Sequence, residues 1–120
     1  MIRALVYGLV VALTGILPPA AAKAETLEWT LRNNYPYIIY VKFYSKDRGH
    51  VWPSRSRSYI FNDGNSKTVR LSCRRGEKIC FGGFTKSRRT YWGVGEQGNK
   101  GCRSCCRYCG QYYSATDVLN

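Results

Sequence analysis

Six cysteines are the residues of this sequence whose type and spacing best suit chemistry. Four of them fall within eight positions near the C-terminus as two abutting C-x-x-C units, and the full set is Cys73, Cys80, Cys102, Cys105, Cys106 and Cys109. This spacing fits structural disulfides, a tetrahedral zinc site or a redox-active dithiol. An even number of cysteines in a small chain that begins with an export signal is typical of a disulfide framework. We therefore predict disulfides, with a zinc-binding or redox thiol module as the alternative.

The surroundings of the cysteines favour disulfides over a metal or redox site. A zinc ribbon takes its two ligand pairs from separate segments, whereas both pairs here lie within 102–109. Arg103 and Arg107 could lower a thiol pKa, but no thioredoxin-like βαβ pattern surrounds them. We predict no metal and no cofactor. The pairing stays open, because Cys73 and Cys80 could bond to each other or could reach the C-terminal cluster and pin it to the sheet.

No group of residues forms a recognisable catalytic set. His50 is the only histidine, and it lies beside a predicted turn, where an exposed polar role is usual. The serines fall outside any nucleophile signature, and the acidic residues are few and scattered, so neither a hydrolytic triad nor a glycosidase carboxylate pair is indicated. We expect a protein without enzymatic activity.

The N-terminus has the three parts of a secretory signal. A short basic start precedes an uncharged run over 4–17, and small residues continue as far as Ala24. The run is shorter than the ~20 residues needed to span a bilayer. We predict a signal peptide over 1–24, cleaved after Ala24 or, as second choice, after Ala22. The mature chain would be a single domain over 25–120, secreted or periplasmic, with no transmembrane segment.

Basic side chains outnumber acidic ones in the predicted mature domain. The full chain has 19 Lys and Arg against seven Asp and Glu, and Arg3 and Lys23 leave with the signal peptide, so the mature formal charge is +10. Such a charge favours solubility and also attracts anions. We expect an anionic partner outside the cytoplasm: a surface lipid, an acidic glycan or an acidic protein. Export argues against nucleic acid, although the charge alone would suit it.

Two groups of residues are candidates for binding such a partner. Arg74 and Arg75 lie in a predicted hairpin turn, and guanidinium groups can hold carboxylate or phosphate with two hydrogen bonds. Tyr40 and Tyr44 belong to an aromatic cluster around one predicted strand, whose exposed faces could stack on sugar rings; core packing is the competing explanation. The cluster is Tyr35, Tyr37, Tyr40, Tyr44 and Trp52. The sequence thus predicts a non-enzymatic binding or interaction module for anionic surfaces or glycans.

Short strands are the elements that position these residues. Apolar and polar residues alternate with a period of two in 27–32 and 67–73, and turn signals separate all the segments at intervals typical of a sandwich or barrel. The predicted strands are 27–32, 35–44, 51–53, 59–61, 67–73, 78–84 and 90–94. Both faces of 35–44 are largely apolar or aromatic, which predicts a central strand. We predict an all-β fold, a small antiparallel β-sandwich or barrel stapled by disulfides, with a cysteine-rich C-terminal loop and irregular last residues.

Turn residues and large apolar side chains complete the prediction. Asn33-Asn34 is a turn signal, and Gly76 suits a left-handed position in a hairpin turn over 74–77. Gly82-Gly83 marks a bulge or a close approach of two backbones. The core candidates are Trp29, Phe43, Leu71 and Trp92.

The C-terminal half of the sequence resembles a group of known proteins. Tyr91-Trp92-Gly93-Val94-Gly95, followed by the C-x-x-C-C-x-x-C cluster and preceded by Cys73 and Cys80, resembles small exported cysteine-containing bacterial proteins of unknown function. The resemblance covers about the last half of the chain. It implies export and a shared cysteine framework, and it implies no activity.

Overall fold

The computed structural model describes residues 24–120, so the predicted signal peptide lies, apart from Ala24, outside the described residues. These residues form nine strands and no helix, which confirms the all-β prediction. The strands are β1 (Ala24–Asn33), β2 (Ile39–Ser45), β3 (Val51–Trp52), β4 (Tyr59–Phe61), β5 (Ser66–Arg74), β6 (Lys78–Phe84), β7 (Tyr91–Gly93), β8 (Cys106–Tyr108) and β9 (Thr116–Leu119). This part of the chain accordingly contains no helical membrane span.

The smaller sheet has three strands in the order β5-β1-β9. β1 pairs antiparallel with β5 along nearly its whole length. Its other edge pairs parallel with β9, with Thr30 opposite Thr116. The prediction of irregular last residues was therefore wrong, and the fold is not wholly antiparallel. The sequence signal for β9 is weak because Leu119 is the only fully buried residue of that strand.

The larger sheet has six strands and is built around β2 and β6. These two strands pair antiparallel, from Tyr40 opposite Phe84 to Ser45 opposite Ile79. β3 and β4 continue the sheet beyond β2, and β7 and β8 continue it beyond β6. β2 is therefore central, as its two apolar faces predicted, although it begins later than predicted, at Ile39.

The two sheets pack face to face as a sandwich around one apolar core. Inward side chains alternate with exposed ones along β1 and β5. The ring centroid of Trp29 lies 5.1 Å from that of Phe43 and 5.8 Å from that of Phe81, so this side chain joins the sheets. Of the predicted core residues, Trp29, Phe43 and Leu71 are fully buried, whereas Trp92 is only half-buried.

The turn between β5 and β6 connects the two sheets, so the prediction of a hairpin over 74–77 was wrong. β5 pairs with β1 in one sheet, and β6 pairs with β2, β7 and β8 in the other. A local turn signal indicates that the chain reverses, but it does not specify which sheet the next strand joins. The glycine predictions are confirmed: Gly76 has a φ of 81°, and a Cβ at Gly82 would overlap the carbonyl oxygen of Gly95.

Candidate functional site

A cleft opens at the end of the sandwich where β2 begins and β6 ends. Tyr40 lies opposite Phe84 in the register of these strands, so the loop before β2 and the loop after β6 lie side by side. The cleft between them has a volume of about 750 Å³, a size typical of small-molecule sites. We refer to it as the tyrosine cleft. Its lining consists of Tyr35, Tyr37, Ile38, Tyr40, Thr85, Lys86, Ser87, Arg89 and Thr90.

Asn33 holds the tyrosine side of this cleft in place. Its side chain is buried at the end of β1. The side-chain NH₂ donates hydrogen bonds of 2.8 Å to the carbonyl oxygens of Tyr37 and Phe61. The side-chain oxygen accepts a third bond, also 2.8 Å, from the backbone N–H of Tyr35. A residue that the sequence indicated only as part of a turn therefore ties the loop before β2 to β4.

The three tyrosine rings of the cleft differ in their exposure. Tyr35 is half-buried and packs edge-on against Trp92, with ring centroids 5.0 Å apart. Tyr40 stacks on Phe84 at 5.7 Å, with an angle of 24° between the ring planes. Tyr37 packs edge-on against Tyr35 at 5.8 Å and is 68% exposed. The aromatic surface is therefore fixed at its base and open at its rim.

The opposite side of the cleft is basic. The loop over 85–90 is closed by a backbone hydrogen bond of 3.2 Å between its first and last residues. Arg88 has a φ of 58° and pairs with Glu96 at 2.9 Å. Lys86 and Arg89 are exposed, line the cleft and form no ion pair with any described residue. Their positive charges are therefore open to an anionic ligand.

Of the two predicted tyrosines, Tyr40 lines the cleft and Tyr44 does not. Tyr44 lies further along β2, ~13 Å from Tyr40 at the usual rise of a strand. Its hydroxyl donates a hydrogen bond to the backbone carbonyl oxygen of Glu96. Burial, and next the charge of Glu96, raise the pKa of Tyr44 to about 12. Tyr44 thus secures the loop that follows β7.

Arg74 and Arg75 lie at the opposite end of the sandwich from the cleft. The cleft adjoins Phe84 at one end of β6, whereas the turn that carries the two arginines precedes the other end, ~20 Å away at the usual rise. Arg75 pairs with Glu25 at 3.7 Å. The structure therefore separates these arginines from Tyr40, and the two predicted groups do not form one site.

A buried carboxylate, Glu77, stabilises the turn at that opposite end. It accepts hydrogen bonds from Arg48 Nε at 2.5 Å, from Ser45 Oγ at 2.5 Å and from the backbone N–H of Arg74 at 3.0 Å. Burial alone would raise the pKa of Glu77, but these hydrogen bonds outweigh it and lower the pKa to about 2. Glu77 is therefore ionised at neutral pH, and its hydrogen bonds link the end of β2 to the turn.

All six cysteines form disulfides, which confirms the predicted framework. The pairs are Cys73–Cys109, Cys80–Cys106 and Cys102–Cys105. The first joins the end of β5 to the residue after β8 and so links the two sheets. The second crosses between β6 and β8, and the third closes the loop before β8. Of the open alternatives, the two upstream cysteines reach the C-terminal cluster and do not pair with each other. That cluster, predicted as a loop, contains β8.

Two of the disulfides are in direct contact. Cys105 Sγ lies 3.7 Å from Cys106 Sγ, and the sulfur atoms of Cys80, Cys105 and Cys106 all lie within 4.8 Å of one another. We refer to these atoms as the three-sulfur cluster. Three thiolates at this spacing would suit a soft metal ion. The ligand form of cysteine is the thiolate, so only reduced cysteines could serve in that way.

Two cations of the lining, Lys86 and Arg89, were not recognised in the sequence, and neither was the positioning role of Asn33, which lies outside the lining. In the sequence, the two cations belong to a charge that is spread along the whole chain. Their place opposite the tyrosines depends on the pairing of β2 with β6, which only the structure provides. The one feature of the sequence that could have drawn attention to these two cations is their position soon after the glycine-containing strand over 78–84.

Comparison of the chain with protein-family models, with curated proteins and with solved structures finds no match. The class of this protein is therefore defined by its fold and its site alone. It is a disulfide-linked β-sandwich with a cleft that has tyrosines on one side and exposed cations on the other.

Proposed function

We propose that this chain is an exported, non-enzymatic binding module, secreted or periplasmic, and that its ligand is an acidic glycan held in the tyrosine cleft. The export pattern over 1–24 and the three disulfides support a location outside the cytoplasm, because cytosolic thiols are kept reduced. The observation that carries the ligand class is the composition of the cleft, where Tyr37 and Tyr40 share a lining with Lys86 and Arg89.

Each side of the cleft suits one part of an acidic sugar. The C–H face of a pyranose ring is apolar and packs on an aromatic ring, and tyrosine hydroxyls can bond to sugar hydroxyls. A carboxylate or sulfate group would lie beside Lys86, a point charge, and Arg89, whose planar guanidinium offers two parallel hydrogen bonds. Since neither cation has an acidic partner among the described residues, binding breaks no existing ion pair.

A second depression supports a ligand of several sugar residues. It has a volume of about 230 Å³ and shares Tyr40 and Lys86 with the cleft. Lys42, Arg88 and Glu96 also line it; Arg88 pairs with Glu96, so Lys42 is the cation that continues the basic character past Tyr40. An acidic oligosaccharide could therefore occupy both depressions, with the ring of Tyr40 between them.

The concave shape favours a glycan over the other anionic partners that the charge permits. A lipid surface is flat and would meet cations on a convex face, whereas Lys86 and Arg89 border a cleft. A concave site with aromatic walls and a few polar groups is typical of discrete ligands.

Calorimetric titration of the mature chain tests this function with uronic-acid and sulfated oligosaccharides, each beside a neutral chain of the same linkage. We expect the acidic chains to bind and the neutral chains to bind at least about tenfold more weakly, a difference of about 1.4 kcal/mol. Tyr37→Ala should weaken the binding of the acidic chain by about tenfold, because it removes a stacking face. Tyr112→Ala is the matched control, since Tyr112 is 90% exposed and lies outside the cleft. Equal binding of acidic and neutral chains, or equal losses in the two variants, would refute the proposal.

A further inference from the structure

We propose that Cys102–Cys105 is a reactive disulfide. Once an external thiol has opened it, the freed Cys105 undergoes thiol–disulfide exchange with Cys80–Cys106. The inference is independent of the ligand of the tyrosine cleft. It rests on the three-sulfur cluster, in which Cys105 Sγ lies 3.7 Å from Cys106 Sγ and within 4.8 Å of the sulfur of Cys80. Exchange proceeds by attack of a thiolate on a disulfide sulfur along the S–S axis, so the Cys105 thiolate, once free of Cys102, turns about its own side-chain bonds to reach the sulfur of Cys80, which lies within 4.8 Å.

The reactive bridge is open to solvent at one end and buried at the other. Cys102 is exposed, whereas Cys105 is 3% exposed. An external thiolate therefore reaches Cys102 Sγ, and Cys105 is the leaving group. The bridge spans three positions of sequence, against 36 for Cys73–Cys109, so it restricts the unfolded chain far less. Its opening leaves the link between the two sheets in place.

The backbone keeps Cys105 beside its target after the bridge has opened. The N–H of Phe81 donates a hydrogen bond of 2.9 Å to the carbonyl oxygen of Cys105. Cys106, the next residue, pairs with Cys80 in the register of β6 and β8. Neither interaction depends on Cys102, so the liberated thiolate stays within the three-sulfur cluster.

The exchange consists of two successive attacks on disulfides of the protein, with an external dithiol as the reductant. A thiolate of the dithiol attacks Cys102 Sγ, a mixed disulfide forms, and the electron pair of the broken bond leaves on Cys105. The Cys105 thiolate then attacks the sulfur of Cys80, a Cys80–Cys105 bond forms, and Cys106 leaves as a thiolate. Attack on Cys106 itself would join adjacent residues in a small ring, which the planar trans peptide opposes.

The second thiol of the dithiol closes the electron balance. It attacks the mixed disulfide, forms the cyclic or intramolecular disulfide of the oxidised dithiol, and releases Cys102. The two protons lost by the dithiol end on Cys102 and Cys106. The protein has then gained two electrons and two protons and holds a rearranged bond, Cys80–Cys105.

The variant Cys102→Ser tests the transfer without any reductant, because it leaves Cys105 as a lone thiol. We expect slow alkylation and peptide mass mapping to find label on Cys106 as well as on Cys105, together with a linked Cys80–Cys105 peptide. The rate should fall as the pH drops below the ordinary thiol pKa of about 8.5. Cys105→Ser is the matched control, because its free thiol on Cys102 lies outside the three-sulfur cluster and should keep all the label. Label on Cys105 alone in Cys102→Ser would overturn the proposal.

Limited reduction of the wild-type chain gives a second measurement that needs no substitution. With one equivalent of dithiothreitol, we expect two thiols per chain, Cys102 with either Cys105 or Cys106, and an intact Cys73–Cys109 bridge. Label confined to Cys102 and Cys105 would overturn the transfer. Loss of Cys73–Cys109 first, or of all three bridges together, would overturn the assignment of the reactive bond.

Discussion

The side-chain amide of Asn33 donates a hydrogen bond of 2.8 Å to the backbone carbonyl oxygen of Tyr37. A buried group at the end of β1 thereby fixes the residue that carries the most exposed ring of the tyrosine cleft. Because the same amide also bonds to Phe61 of β4, the shape of the cleft and the stability of the sandwich depend on one side chain.

The variant Asn33→Asp should lose stability and glycan binding together. A carboxylate cannot donate, so it would leave two carbonyl oxygens unsatisfied in a buried position, at a cost of ~1–3 kcal/mol for each unsatisfied group. Urea unfolding and calorimetric titration measure the two effects. Asn34→Asp is the matched control, since Asn34 is exposed and its amide donates to the exposed side chain of Asn120. Binding by Asn33→Asp at wild-type strength would refute the positioning role.

Stability should fall as the pH drops from about 4.5 to about 2. The pKa of Glu77 is about 2 in the folded chain, below its ordinary value of 4.5. A carboxyl whose folded pKa is lowered contributes stability above its unfolded pKa, and that stability is lost as protonation proceeds down to the folded pKa. The difference corresponds to ~3 kcal/mol, measurable by urea unfolding at pH 7, 4 and 2.

The contribution of Glu77 can be separated from general acid effects by two substitutions. Glu77→Gln should unfold more easily than the wild type at pH 7 and should lose most of the dependence on pH in that window. Glu28→Gln should keep the dependence, because Glu28 pairs with Arg70 at an exposed position. A Glu77→Gln variant with the wild-type pH profile would contradict the assignment.

The Cys73–Cys109 bridge should matter more for stability than the Cys102–Cys105 bridge. It joins the two sheets and closes a long segment, so its loss in a double serine variant should cost ~2–4 kcal/mol. The double serine variant of Cys102–Cys105 should lose less, because that bridge closes a very short segment. Urea midpoints of the two variants make the comparison, and equal losses would count against it.

The strands could be predicted from the sequence because their pattern is local. Alternation of apolar and polar residues located β1 and β5 to within a few residues at each end. The turn signal over 74–77 placed the next strand at 78–84, and β6 covers the same residues. The number of cysteines likewise indicated three bridges, whereas the partners depended on which strands meet.

Arg107 shows why the position of charges could not be predicted in the same way. In the sequence it stands near Arg103 as one of two cations in the cysteine cluster. In the structure it is buried, with its guanidinium carbon 4.8 Å from the ring centroid of Trp29 and 4.9 Å from that of Tyr113. It also donates to Asp117 at 3.1 Å. The contact with Trp29 is set by the packing of the two sheets, which no local pattern specifies.

The central claim is that the cations of the tyrosine cleft form a site, and charge reversal at two places tests it most directly. Lys86→Glu/Arg89→Glu and Arg74→Glu/Arg75→Glu change the formal charge by the same amount, the first in the cleft and the second at the opposite end of the sandwich. The affinity of each variant for an acidic oligosaccharide is measured by titration at low and at physiological salt.

We predict that the cleft variant loses about 100-fold in affinity, because two charge-assisted hydrogen bonds are replaced by repulsion. The variant at the opposite end should lose less than about threefold, since charges beyond the screening length of roughly 8 Å contribute little at physiological salt. Equal losses in the two variants would show that binding depends on the diffuse charge of the whole domain and would contradict a site in the cleft.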